Sequence, residues 1–116
     1  MQAKIIKQRV NKAELLPLEL KGHIALVKAV VDIKRGIMVA GVSMHSDAET
    51  LLLEQGSEQE DLWGINLYLK KSYDEWIEYD SMINLRPWQD NDSRGVDDPA
   101  IRQKIREIVN LLVKES

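Results

Sequence analysis

Hydrophobic and polar positions change their spacing along this chain, and each change of period marks a predicted element. Ile5 and Ile6 open a short, weakly patterned strand that runs to Val10. Asn11-Lys12-Ala13-Glu14 then starts a helix, with the Asn11 side chain placed to accept a free first-turn amide and Glu14 to answer it. Pro17 removes one hydrogen bond inside that helix, which is therefore short, kinked or broken before Gly22 ends it. Leu26 to Ile33 and Ile37 to Val42 are apolar at nearly every position and flank Lys34-Arg35-Gly36, so they read as a hairpin of central strands with both faces at least partly covered. Ser46-Asp47-Ala48-Glu49 predicts a capped helix carrying Ala48, Leu51, Leu52 and Gln55, stopped by Gly56.

Strict alternation follows. Trp63, Ile65, Leu67 and Leu69 share one face of a strand from Leu62, with Gly64, Asn66 and Tyr68 on the other. From Trp76 to Arg86, Ile77, Tyr79, Ser81, Ile83 and Leu85 oppose Trp76, Glu78, Asp80, Met82, Asn84 and Arg86, which predicts the partner strand. Lys70 to Asp74 is a polar loop and Gln89 to Gly95 is irregular. Asp98 caps a last helix, Pro99 takes its first position, and Ile101, Ile105, Ile108, Val109 and Leu112 form its apolar stripe. The order β-α-β-β-α-β-β-α makes an α+β fold, a mainly antiparallel sheet of about four to five strands with helices packed on one face.

Composition narrows the class of function. The 116 residues suit a single globular domain spanning 1–116, with 44% hydrophobic and 30% charged residues in an ordinary balance for a soluble protein. No apolar run approaches the ~20 residues of a membrane-spanning helix. Met1 to Lys7 turns charged too soon for a secretory signal. The absence of cysteine excludes disulfides and thiolate chemistry and fits a reducing compartment such as the cytoplasm. A net charge of −3 argues against nucleic acid, and the basic stretch Lys4, Lys7, Arg9 and Lys12 reads instead as a charged edge strand.

Four segments carry a family resemblance. They are Val27 to Ile33 with Arg35-Gly36-Ile37-Met38, Leu51 to Ser57 running into Asp61 to Tyr68, Ile77 to Pro87, and Ser93 to Pro99. Together they resemble a small bacterial and archaeal family of proteins of unknown function, the domain numbered 5674. The likeness covers most of the chain from about Val27 onward and implies no activity. Where that family suggests a Gly-Glu-Leu-His-Ala-Asp type of segment, this chain has Gly41 to Asp47 and lacks the acidic residue ahead of His45.

Candidate chemistry gathers on the polar sheet face. Asn66, Glu78, Asp80, Asn84 and Arg86 project to one side if the strands pair as read, joined by Lys28 and Asp32. Such a set could hold a small polar ligand or an oxygen-ligated cation, and Glu78 with Asp80 could act as an acid–base pair. The competing account is that a sheet covered on one side leaves polar residues on its wet side anyway. His45, near Asp47 and Glu49, could serve as a general base, against the simpler account of a surface histidine beside a helix cap. No zinc spacing, phosphate loop, dinucleotide glycine pattern or calcium loop occurs, so no metal site and no cofactor is assigned. Trp63 reads as core, whereas Trp76 on the polar face and Trp88 after Pro87 are either partner contacts or rings packed under loops. Two functions remain: an interaction module forming a homodimer or meeting a protein partner, or a small ligand-binding enzyme using Asn66, Glu78, Asp80, Asn84, Arg86 and His45. A concave pocket uniting the polar set would favour the second.

Overall fold

The computed structural model describes residues 3–115, so the first two residues of the segment read as too charged for a signal lie outside it. Its centre is an antiparallel sheet in the order β1-β4-β3-β5-β6, formed by Lys4–Ile6, Ile37–Ala40, Leu26–Asp32, Leu62–Tyr68 and Ile77–Glu78. A short parallel pair, β2 (Val10–Asn11) with β7 (Val113–Lys114), ties the amino-terminal segment to the far end of the chain. The β3–β4 hairpin forms as the apolar runs predict. Asp32 Oδ1 accepts the Lys34 and Arg35 amides at 2.9 Å each, and Gly36 takes the positive φ of 69° that closes the turn.

Both faces of the sheet carry a helix, which corrects the expectation that helices gather on one. Val27, Ala29 and Val31 of β3 pack in one cluster with Ile105, Ile108, Val109 and Leu112 of α2 (Pro99–Leu112). Val30 packs in the other, with Ala48 and Leu52 of α1 (His45–Glu54). Central strands that are apolar on every position present two surfaces to be removed from water, and one helix layer covers only one. The α2 helix starts as its sequence dictates, with the Asp98 carboxylate accepting the Ala100 amide at 2.8 Å and Pro99 following.

Two other elements depart from expectation. The first helix keeps its capping box, with the Asn11 amide donating to Glu14 Oε2 at 2.7 Å, but Pro17 leaves it a 3₁₀ segment, Lys12–Leu18. The α1 helix begins one residue before Ser46, with Met44 as a cap residue that offers no side-chain acceptor. Glu49, expected to close a box with Ser46, turns inward and lies near enough to Arg86 to favour its cation.

The predicted strand from Trp76 to Arg86 breaks after two paired residues. Beyond Glu78 the chain turns through 3₁₀ segments at Met82–Asn84 and Pro87–Gln89. A side chain replaces the missing ladder: Asn84 Oδ1 accepts the Gly64 amide at 2.8 Å, and Asn84 Nδ2 donates to the Gly64 carbonyl at 3.0 Å. A carboxamide presents the same donor and acceptor as a peptide group, so it pairs with β5 as a strand would. Trp76, placed by alternation on the polar face, is 0% exposed. It precedes β6 in the turn, stacks on Tyr73 at 4.9 Å and joins the α2-side core.

Gly64 is required by this arrangement. A Cβ there would sit 2.5 Å from Ser81 Cβ, inside contact distance and against a side chain too short to move away. Gly64→Ala is therefore expected to destabilise the fold by about 1–3 kcal/mol, read as a lower urea midpoint with unchanged slope. A midpoint equal to that of the parent protein would refute the close packing of Ser81 on β5.

Candidate functional site

Antiparallel register sets Lys28 opposite Asn66 and Asn66 opposite Glu78, one polar row across three strands. The row lies on the α1 face, since Lys28 is two residues from Val30. The ten-residue α1 helix covers the Val30 end of that face, and His45 at its first position meets the polar row. A depression of about 190 Å³ remains there, walled by Lys28, Ser43 to Ser46, Ser81, Met82, Ile83 and Arg94.

His45 is buried, which corrects its reading as a surface residue beside a cap. Its Nε2 donates to the Ile65 carbonyl at 2.8 Å; a carbonyl only accepts, so that nitrogen carries the hydrogen and the neutral ring leaves Nδ1 as an acceptor. Burial lowers its pKa from the ordinary 6.5, the Ile65 hydrogen bond opposes this, the Lys28 cation adds to it, and Asn66 and Asp80 oppose it.

The other predicted residues divide into two groups. Asn66 and Asp80 lie near His45 and Glu78 pairs with Asn66, but none of the three lines the depression. Asn66 Nδ2 donates to Glu78 Oε1 at 2.8 Å, Tyr68 Oη donates to the same oxygen at 3.0 Å, and Arg94 Nε pairs with Asp80 Oδ1 at 2.9 Å. Asn84 and Arg86 do not join them, and Asp32 is held by its turn and by Ser57 Oγ at 2.6 Å. Arg86 is 1% exposed, and its guanidinium is engaged by the carbonyls of Ile83, Gln59 and Leu62, by Gln89 Oε1, and by the Trp63 ring 4.4 Å below. Alternation put both residues on the wet face because it assumed an unbroken strand.

The loop 89–95 is likewise closed on itself. Asn91 Nδ2 donates to Asn84 O at 2.7 Å and Gly95 O at 2.8 Å, while Asn91 Oδ1 accepts the Asp97 amide at 2.8 Å. Asp97 fastens the loop: it accepts from Ser93 Oγ at 2.5 Å and the Asp92 amide at 2.8 Å, and these bonds hold its carboxyl below the usual range. Sequence reasoning missed Ser81 and Arg94 as pocket residues. Ser81 read as a core position of the long strand, and nothing local pairs Arg94 with Asp80.

Among the described residues no three His, Asp or Glu side chains come together to hold a metal ion, and no helix is long and apolar enough to cross a membrane. Fold and site together define a small α+β protein with a depression of mixed apolar and polar lining where a short helix meets its sheet. The chain belongs to the family described as protein of unknown function (DUF5674), whose model matches residues 4–112. No curated protein and no solved structure matches it.

Two expected outcomes follow from these environments. Arg86→Ala removes the donor from three carbonyls, that of Leu62 buried, and empties the space over Trp63, so it is expected to destabilise the protein by about 3 kcal/mol in chemical denaturation. His45 has a folded-state pKa below its unfolded value, so its contribution is complete above about pH 6.5 and is lost as pH falls towards the folded value. His45→Gln should flatten the decline in melting temperature between about pH 6.5 and 5, and an identical decline in both proteins would contradict the buried neutral ring.

Proposed function

We propose that this protein works as an interaction module, and that its contact surface is the apolar strip beside the depression. The observation that carries this reading is Trp88, 74% exposed on a backbone that is firmly held. Pro87 fixes the residue before it, Asp90 closes the 3₁₀ turn in the left-handed conformation, and Gln89 Nε2 donates to the Glu60 carbonyl at 2.8 Å. Arg86, on the other side, is anchored in the interior. A ring displayed on a rigid turn loses little freedom when it is covered, which favours binding through it.

Met82 and Leu85 are exposed on the same segment, and Met44 and Met82 both border the depression. A strip of large apolar side chains on a small protein supports association, and a second copy meeting it about a two-fold axis is the simplest arrangement. The burial of Trp76 removes one of the two tryptophans that suggested a contact surface, and leaves Trp88 as its centre. The enzyme reading loses Asn84 and Arg86 from its residue set, since neither side chain reaches the depression.

Light scattering over a concentration series tests the proposal. The parent protein is expected to pass from monomer to dimer, and Trp88→Ser to remain monomeric with a melting temperature within about 2 °C of the parent. A parent protein that stays monomeric throughout, or a Trp88→Ser variant that dimerises equally well, would remove self-association through this strip.

A further inference from the structure

The sheet keeps one edge open. Gly41 donates to the Lys28 carbonyl at 3.0 Å, so along the β3–β4 ladder Val39 exchanges its bonds with Val30. Met38 and Ala40 then turn their peptide groups the other way, to Ile6 and Lys4 of β1. Alternation within β1 aims the amide and carbonyl of Ile5 away from β4, and no strand stands beyond, because β1 is the outermost member of its sheet. Among the described residues no backbone hydrogen bond joins Lys7, Gln8 or Arg9 to another segment before Val10 pairs with Val113. The chain bends at Gln8, and residues Lys4 to Val10 alone wall a depression of about 510 Å³. The opposite edge offers no such template: past Glu78 the chain leaves the ladder, and Asn84 takes the place of a strand beside β5.

Charge selects what this edge accepts. Lys4, Lys7 and Arg9 are exposed along it in a protein of net charge −3. Lys4 pairs with Glu14 at 3.8 Å at the exposed surface, whereas Lys7 and Arg9 form no ion pair among the described residues. Lysines on an edge strand oppose pairing with a second copy of that strand, because like charges then meet. The same charge favours a strand of opposite sign. We propose that β1 is a docking edge for an acidic, extended segment of a partner protein, which joins the five-stranded sheet as a further strand. Its backbone bonds the outward amide and carbonyl of Ile5, and its carboxylates face Lys7 and Arg9. About five residues, each rising about 3.3 Å, reach from Lys4 to the bend at Gln8. A nucleic acid shares the sign of charge but has no peptide group to meet Ile5. The inference does not rest on self-association through Trp88.

The test is a two-dimensional amide NMR titration of the full chain with a blocked hexapeptide alternating valine and glutamate. It is expected to shift the Ile5, Lys7 and Arg9 amides saturably, with a Kd of about 1 mM or tighter, and to slow hydrogen exchange at the Ile5 amide. Two control peptides should fail: one with lysine for glutamate lacks the charge match, and one N-methylated throughout lacks the ladder donors. Lys7→Glu with Arg9→Glu is expected to weaken the glutamate peptide about tenfold and to admit the lysine peptide, with an otherwise parental spectrum. Lys104→Glu with Arg106→Glu, the same charge change on the exposed side of α2, should leave both peptides unchanged. No saturable shift with the glutamate peptide, equal binding by either control peptide, or equal weakening by the two charge reversals would overturn the proposal. So would an Ile5 amide already protected by a second copy in the absence of peptide, or tighter binding of a single-stranded oligothymidylate at the same amides.

Discussion

A guanidinium cannot shed its charge at neutral pH, so burying Arg86 obliges the chain to surround it with oxygen. The surrounding groups come from separate places in the sequence: Gln59 from one 3₁₀ turn, Ile83 from a second, Gln89 from a third, and Leu62 from the first residue of β5. The Trp63 ring completes the enclosure from below. One cation thus holds three turns in register against one strand, in a region where the backbone has left the sheet and no ladder is available to do so. Asn84 and Asn91 extend the same logic. The amide of Asn84 takes the place of a strand opposite Gly64, and that of Asn91 closes the loop behind it.

This scaffold determines what the opposite wall of α1 can be. The turns it fixes carry Ser81 and Met82 to the depression and hold Trp88 outward. The helix itself is too short to cover its face of the sheet, so the row Lys28, Asn66 and Glu78 is left beyond its first residue. The depression and the exposed apolar side chains therefore lie side by side, with Met44 and Met82 belonging to both.

Much of the architecture was legible in residue order. The Asn11–Glu14 box, the Asp32–Gly36 turn and the Asp98-Pro99 start each depend on groups within a few residues of one another. Of the candidate residues, Asn66 and Glu78 stand opposite one another as strand alternation predicts, and His45, at the helix start, lies near Asn66 and Asp80. Asn84 and Arg86 were misplaced because alternation continues on paper after pairing has stopped at Glu78. Trp76 was misplaced because it stands just outside the strand whose period it was assigned.

By itself the sequence determined the α+β class, the hairpin of apolar strands and the amphipathic last helix, since period, turn and cap are properties of neighbouring residues. Tertiary structure alone decided which polar groups face water. Asn84 and Gly64 are twenty residues apart, as are His45 and Ile65, and nothing local states that a carboxamide will replace a strand or that an imidazole will lie under a helix start. A polar side chain is equally at ease with water or with a peptide group. Which one it meets is set by the packing of distant segments, and that packing formed both the sealed Arg86 cluster and the open depression beside it.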